Sequence, residues 1–408
     1  MLDPKEFYRR LDALLATIRI EKSNGNLLTN IVNTLVTNFK ETLQIDEGRI
    51  YERRGSELVL VHPHLPPEES IYAPRIPVDT PIIQLAITNR SYIYDQAPLN
   101  TAFYNSNKKK PDLCTAIWVH NQEKEWMLVF SLKEGWFREE ISLFLNSVRT
   151  SINYRIFTEL MENRLAQAQE IQKSLLPKNK FEIEGYEIFG QSQPAEIVGG
   201  DFYDYFEYDQ DNFGVALGDA SGHGIPAALL VRDVVIGLRM GLALEMRLVQ
   251  TVKKLNTVIQ KSTYSTNFVS MFIGEVEKDG HVFYINAGHP APFLISEKET
   301  VELPATGITL GFLPDIPLSR SHIHMPLSSI LVMYTDGIIE RANESDQQFG
   351  YKDLRKLAEK HRNKSAKEIV EIIFSTVYEF GNKTNWDDDA TVVVLKRTES
   401  STNGSISV

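Results

Sequence analysis

Leu217-Gly218-Asp219-Ala220-Ser221-Gly222-His223-Gly224 is the stretch on which the reading of this chain turns. Residues 213–217 before it are aromatic, β-branched and aliphatic and read as a strand, which then breaks at an aspartate set among glycines. The same event recurs at Gly199-Gly200-Asp201-Phe202-Tyr203-Asp204, Tyr334-Thr335-Asp336-Gly337 and Asp387-Asp388-Asp389-Ala390-Thr391. One aspartate beside a glycine is an ordinary turn residue. Four such segments, with no comparable supply of clustered His or Cys, make a set of hard oxygen donors. These carboxylates would repel one another unless cations neutralised them, and their chemistry suits Mg²⁺ or Mn²⁺ rather than Zn²⁺. Two ions can share a bridging carboxylate.

Working outward, residues 268–276, 281–285, 292–295, 330–334 and 391–395 also read as strands. Helical periodicity occupies 226–260, with Pro226 at the first helical position, and 351–380. Strands and helices come in clusters, which predicts a layered α+β domain rather than βαβ units. This domain is expected over 177–397, followed by a polar, disordered tail at 398–408.

Upstream, 138–176 contains neither Gly nor Pro, and apolar residues recur at Ile141, Leu145, Val148, Ile152, Ile156, Leu165, Ala168, Ile171 and Leu175. The spacing predicts a linker helix, single or in two parts, about 57 Å long at 1.5 Å per residue and ended by Pro177. Its stripe needs a partner: either the same helix of a second subunit, giving a coiled-coil homodimer, or the chain's own domains. The first block, 1–136, opens with a helix marked by Leu27, Leu28, Ile31, Leu35, Val36 and Phe39. Two hairpins follow, 49–53 with 57–61 around Arg54-Gly55-Ser56, and 113–119 with 126–132. Cys114 and His120 in this block read as packing and surface residues.

Composition narrows the class. A chain of 408 residues, 42% hydrophobic and 24% charged, suits two or three globular domains. The net charge of −11 argues against nucleic acid as a partner. Cys114 is the only cysteine, so no intramolecular disulfide forms and a reducing compartment fits. The start, with Asp3, Lys5 and Glu6, lacks the pattern of a signal peptide, and no apolar run of eighteen residues offers a membrane span. A cytoplasmic protein with no membrane partner is expected.

Six ordered motifs carry a resemblance: EIQKSLLP at 170–177, GGDFYD at 199–204, GDASGHGIPAAL at 218–229, NAGHPAP at 286–292, YTDGIIE at 334–340 and DDDAT at 387–391. Together they resemble the bacterial RsbU/SpoIIE family of phosphatases, of the protein phosphatase 2C (PPM) type. The resemblance implies an αββα sandwich of two antiparallel sheets flanked by helices. It further implies a metal-dependent protein serine/threonine phosphatase with two Mn²⁺ or Mg²⁺ ions. By motif, Asp219 bridges the ions, Asp201 holds one with the Ala220 carbonyl, and Asp336 and Asp388 hold the other. Water between the ions is then the nucleophile, and no phosphoenzyme is needed. The implied substrate is a phosphorylated STAS-domain regulator of the anti-anti-sigma type. The block 1–136 resembles a GAF-type sensor domain, which implies control by an activating protein or a small-molecule ligand.

Several assignments stay open on the sequence. Asp387, Asp388 and Asp389 are consecutive, and Asp388 is the chosen ligand. No arginine lies between Phe189 and Gly200, so phosphate binding rests mainly on the metals. His223 reads either as a general acid or as a loop-bonding side chain, His289 as structural, and Asp204 either as the holder of a metal-bound water or, preferred, as a surface aspartate. Two other functions fit the composition: a catalytically degenerate signalling scaffold, and a small-molecule sensor acting by dimerisation.

Overall fold

A computed structural model describes residues 9, 11–14, 16, 27–63, 70–96, 101–105, 113–177, 183–209, 211–243, 246–262 and 268–399. The expected tail at 398–408 lies outside these residues from position 400 onward. The chain divides into two compact units, Met1–Arg164 and Leu165–Val408. Among the described residues no helix is long and apolar enough to cross a membrane.

The first unit contains α1 (Leu27–Phe39), β1 (Ile45–Arg54), β2 (Glu57–His62), β3 (Arg75–Pro77), α2 (Pro81–Asn89), β4 (Ser91–Tyr94), β5 (Leu113–His120) and β6 (Glu125–Leu132). Its six strands form one sheet in the order β3-β2-β1-β6-β5-β4, with every pairing antiparallel. Alternate residues serve opposite faces, as the two-residue strand period requires. Ile117, Val119, Leu128 and Phe130 face α1, while Ala116, Trp118, Met127 and Val129 face α2. A single helix, α3 (Arg138–Lys173), follows and runs through the division between the units. Ile141, Phe144, Leu145, Val148, Ile152 and Ile156 bury themselves in the first unit's core, whereas no residue of α3 beyond Ile156 is buried.

The second unit contains β7 (Tyr186–Gln193), β8 (Asp201–Glu207), β9 (Asn212–Ala220), α4 (Gly224–Ala243), α5 (Leu248–Ser262), β10 (Val269–Glu277), β11 (His281–Ala287), β12 (Phe293–Ile295), β13 (Thr300–Glu302), β14 (Ser321–His324), β15 (Ile330–Tyr334), α6 (Asp336–Ile339), α7 (Tyr351–His361), α8 (Ala366–Phe380) and β16 (Ala390–Arg397). Two five-stranded antiparallel sheets result, β14-β11-β10-β9-β8 and β13-β12-β15-β16-β7. Phe213, Val215 and Leu217 of one sheet meet Leu331, Met333, Val393 and Leu395 of the other in a shared core. The outer faces are covered in turn. Ala216, Met271 and Ile273 pack beneath α4 and α5, and Val332, Val392 and Val394 beneath α7 and α8. Burial on both faces explains why these strands read as continuous apolar runs rather than alternating ones.

Both long helices expected in this unit are pairs. The span 226–260 breaks into α4 and α5 because the two pack face to face through small residues. A Cβ on Gly241 would lie 2.4 Å from Thr251 Cγ2, and one on Gly237 would lie 2.8 Å from Leu255 Cδ1. No Gly or Pro marks that break in the sequence. The span 351–380 breaks at Ser365, which caps α8: its side chain accepts from the Glu368 N–H, and the Glu368 carboxylate accepts from the Ser365 N–H. That reciprocal capping box was present in the sequence as Ser365-Ala366-Lys367-Glu368. Replacing Ser365 with Ala should lower the unfolding free energy of the second unit by about 1 kcal/mol, read as a shift of the urea midpoint at unchanged slope.

Candidate active site

Antiparallel order brings the start of β8, the end of β9, the end of β15 and the start of β16 to one edge of the sandwich. Asp201 and Asp219 are direct register partners across β8 and β9. Asp336 opens α6 just past β15, and Asp388 directly precedes the Asp389-Ala390 entry into β16. The four acids named from the sequence therefore meet, although up to 187 positions separate them.

Asp201 is the most constrained. Its Oδ2 accepts hydrogen bonds from Thr335 Oγ1 at 2.8 Å and Thr391 Oγ1 at 2.6 Å, so the second sheet grips a carboxylate of the first. Its Oδ1 is buried and has no hydrogen-bond partner. Burial, then the Asp219 charge, holds this carboxyl well above the usual carboxylate range, against the lowering effect of the Thr391 bond. Asp219 is pushed up to about 7, first by burial and then by the charges of Asp336, Asp388 and Asp389. Asp336 is raised as well, by burial and by Asp388 and Glu340.

A family model described as "Stage II sporulation protein E (SpoIIE)" matches residues 209–398. The phosphoserine phosphatase RsbU of Bacillus subtilis is 30% identical over 236 residues, 56% of this chain and 69% of RsbU. The chain belongs to the SpoIIE family of protein phosphatases. Protein IcfG of Synechocystis is 25% identical over 283 residues, 62% of this chain and 44% of IcfG. In fold, the SiaA-PP2C domain of Pseudomonas aeruginosa superposes with a TM-score of 0.53 at 19% identity, covering 59% of this chain and 98% of that domain. The SpoIIE unit thus has the protein phosphatase 2C architecture.

SpoIIE-family phosphatases are metal-dependent, and three features of this edge fit hard divalent cations. All the converging groups are oxygen donors, one of them the orphaned Asp201 Oδ1. A Cβ on Gly200 would lie 2.6 Å from the Ala220 carbonyl oxygen and 3.2 Å from Asp219 Oδ1. Only glycine leaves that cradle open. In the conformers present, no group of three His, Cys, Asp or Glu among the described residues is already arranged to hold an ion.

The three consecutive acids have three different surroundings. Asp387 accepts from Arg341 Nη1 at 2.8 Å. Asp389 is buried, its Oδ1 accepting from the Ala195 N–H at 2.8 Å and its Oδ2 from the Gly200 N–H. Asp388 is exposed, and its Oδ1 accepts only from the neighbouring Asp389 N–H among the hydrogen bonds found.

Other sequence readings change. Asp204, expected on the surface, is 2% exposed and clamped by Arg239 through Nε to Oδ2 at 2.7 Å and Nη2 to Oδ1 at 3.0 Å. An arginine 35 positions away neutralises it, a pairing that no local pattern announces. His223 projects into solvent and pairs with Glu196 at 2.9 Å, bonded to a loop rather than to the acids. His289 is buried, its Nδ1 hydrogen-bonded to Ser270 Oγ at 2.9 Å, and burial lowers it to about 3, so the ring is neutral. Ser270 is the register partner of Asp219, which makes His289 a support beneath the acid edge.

Thr335, Thr391 and Gln172 carry no role in the sequence reading, and Asp389 stands there only as an alternative to Asp388. Gln172, near the end of α3, bonds both backbone groups of Gly199: its Nε2 donates to the carbonyl, and its Oε1 accepts from the N–H at 3.0 Å.

Between the unfolded carboxylate value near 3.9 and about 7, Asp219 is protonated in the folded protein but ionised in the unfolded chain. The folded state then binds more protons, so stability falls as pH rises through that window. Metal-free protein in EDTA should lose a few kcal/mol from pH 4 to pH 7.5. Asp219→Asn should flatten that slope, and denaturant titrations at each pH would measure both.

Proposed function

We propose that the second unit hydrolyses phosphoserine or phosphothreonine on a regulatory protein, and that Asp201, Asp219, Ala220, Asp336 and Asp388 are its metal ligands. The observation that carries this reading is the uncompensated carboxylate edge, with a buried Asp201 oxygen lacking any donor and a glycine cradle beside the Ala220 carbonyl. Asp219 is assigned the bridging position, Asp201 and the Ala220 carbonyl one ion, and Asp336 and Asp388 the other. Asp388 is preferred to its neighbours because Arg341 engages Asp387 and two backbone N–H groups engage Asp389. Two Mn²⁺ or Mg²⁺ ions would lower the pKa of water and screen the phosphoryl oxygens. Thr335 and Thr391 orient the Asp201 carboxylate, and Asp389 fixes the Gly199-Gly200 backbone on which the cradle depends.

The substrate proposed is a phosphorylated STAS-domain regulator. RsbU, similar over 69% of its length, is named a phosphoserine phosphatase, which supports a phosphoserine target. Hydrolysis of a phosphoserine protein should require Mn²⁺ or Mg²⁺ and vanish in EDTA. Asp219→Ala should reduce kcat/KM by at least about a hundredfold, or roughly 2.7 kcal/mol of transition-state stabilisation. Gly200→Ala should raise the Mn²⁺ concentration needed for half-maximal rate. Folded Asp219→Ala protein with undiminished turnover would sink the site assignment, and wild-type protein inert towards every phosphoprotein would favour the degenerate-scaffold reading.

Control is assigned to the first unit, read as a GAF-like sensor of an activating protein or small molecule, acting through α3 in a cytoplasmic homodimer. The antiparallel six-stranded sheet supports the sensor reading, and the unburied stripe at Leu165, Ala168 and Ile171 supports pairing with a second copy. The physical link is Gln172. Movement of α3 pulls on the Gly199 backbone, one residue from Gly200 and two from Asp201. In the full chain, Gln172→Ala should leave the fold intact by circular dichroism and shift the Mn²⁺ dependence of the rate. An unchanged metal dependence would remove α3 from the control path.

A further inference from the structure

The outer face of the β14-β11-β10-β9-β8 sheet carries a second group of side chains with metal-binding chemistry. His322 and His324 alternate on β14, so both project from one face, and His281 of β11 is the direct register partner of His324. Ring centroids lie 5.0 Å apart for His281 and His322 and 5.1 Å apart for His281 and His324. Nδ1 of His281 and Nε2 of His322 share a hydrogen bond of 2.8 Å. Phe283 stacks against His281 and lies 4.9 Å from His322 between centroids, and this backs the cluster with an apolar ring. Asp279 accepts from the His281 N–H through Oδ1, and its Oδ2 lies 3.7 Å from His281 Nε2.

We propose that His281, His322 and His324 form a three-imidazole site for a divalent transition ion, Zn²⁺ by donor set. The site is separate from the carboxylate edge. Two imidazoles bound to one tetrahedral ion at about 2.0–2.1 Å place their ring centroids about 5 Å apart, the separation both pairs already show. Three nitrogens leave one position for water, and nitrogen donors favour Zn²⁺ over the Mg²⁺ or Mn²⁺ suited to the aspartates. Asp279 supplies a carboxylate behind His281, the partner that fixes ring orientation at metal-bound histidines. As they stand, the three rings are not placed to hold an ion together. Binding replaces the His281–His322 hydrogen bond with two metal–nitrogen bonds, through small rotations of exposed side chains.

Ser270, opposite Asp219, and Val276, opposite Val282, are six positions apart along β10, and roughly 20 Å of strand therefore lies between the two sites. The ion would join the four-residue edge strand β14 to β11. The site is a staple on the sheet that carries Asp201 and Asp219.

The test uses the full chain, with Zn²⁺ equivalents counted by equilibrium dialysis and Co²⁺ as a spectroscopic stand-in. Wild type should bind one more equivalent of Zn²⁺ than the double variant His322→Ala/His324→Ala. Its Co²⁺ form should show the intense visible absorption of four-coordinate nitrogen ligation, which six-coordinate oxygen ligation does not give. Single variants His322→Gln and His324→Gln, at exposed positions that tolerate the change, should each weaken that site at least about tenfold. Mn²⁺-dependent hydrolysis should be unaltered in all three. Equal Zn²⁺ stoichiometry and affinity in wild type and the glutamine variants, or a Co²⁺ spectrum of oxygen ligation alone, would overturn the proposal.

Discussion

Repulsion between carboxylates that the two sheets force together is the constraint on which the second unit is built. Asp201 and Asp219 face each other across neighbouring strands, where like charges destabilise a sheet. Asp336 and Asp388 add to the field from the other sheet, and burial strips away the water that would weaken it. A fold can tolerate this by bracing the carboxylates, by keeping some of them protonated, or by supplying positive charge. It braces one of them strongly. Thr335, just past β15, and Thr391 of β16 hold one Asp201 oxygen, and the other oxygen is buried and unpaired.

The bracing extends outward through backbone groups and one further ion pair. Asp389 spends its own carboxylate on the N–H groups of Ala195 and Gly200, so an acid that looks like a ligand is the clamp of the loop that presents Asp201. Gln172 holds the adjacent Gly199 from α3, and Arg239 of α4 joins Asp204 to the Leu175 carbonyl just beyond that helix. Asp389, Gln172 and Arg239 are thereby all bonded to the segment 199–204.

Much of this was legible before any coordinates. Asp201, Asp219, Asp336 and Asp388 stand out because four acidic segments lie at the ends of apolar strands, Asp219 and Asp336 near the end of one and Asp201 and Asp388 at the start of one, and the motifs around them identify the family. The strands 213–217, 330–334 and 391–395 were equally plain, since burial on both faces makes a strand uniformly apolar. By contrast β7, β8, β13 and β14 escaped notice. They mix polar and apolar residues because each lies at or near a sheet edge, where one side meets solvent or a loop. The break between α4 and α5 escaped for a different reason: close packing of Gly237 and Gly241 on another helix creates it, without any local stop signal.

The sequence by itself thus determined which chemical groups are available, and their order, because residue type and local periodicity are properties of neighbours along the chain. The tertiary structure alone decided what each group does. Among three adjacent aspartates, Arg341 takes Asp387, the Ala195 and Gly200 amides take Asp389, and Asp388 stays exposed. Asp204 became the buried half of an ion pair with Arg239, and His223 a surface partner of Glu196. Those outcomes depend on partners 27 to 194 positions distant, and hydrogen-bond geometry at such separations is set only when the sheets and helices have packed.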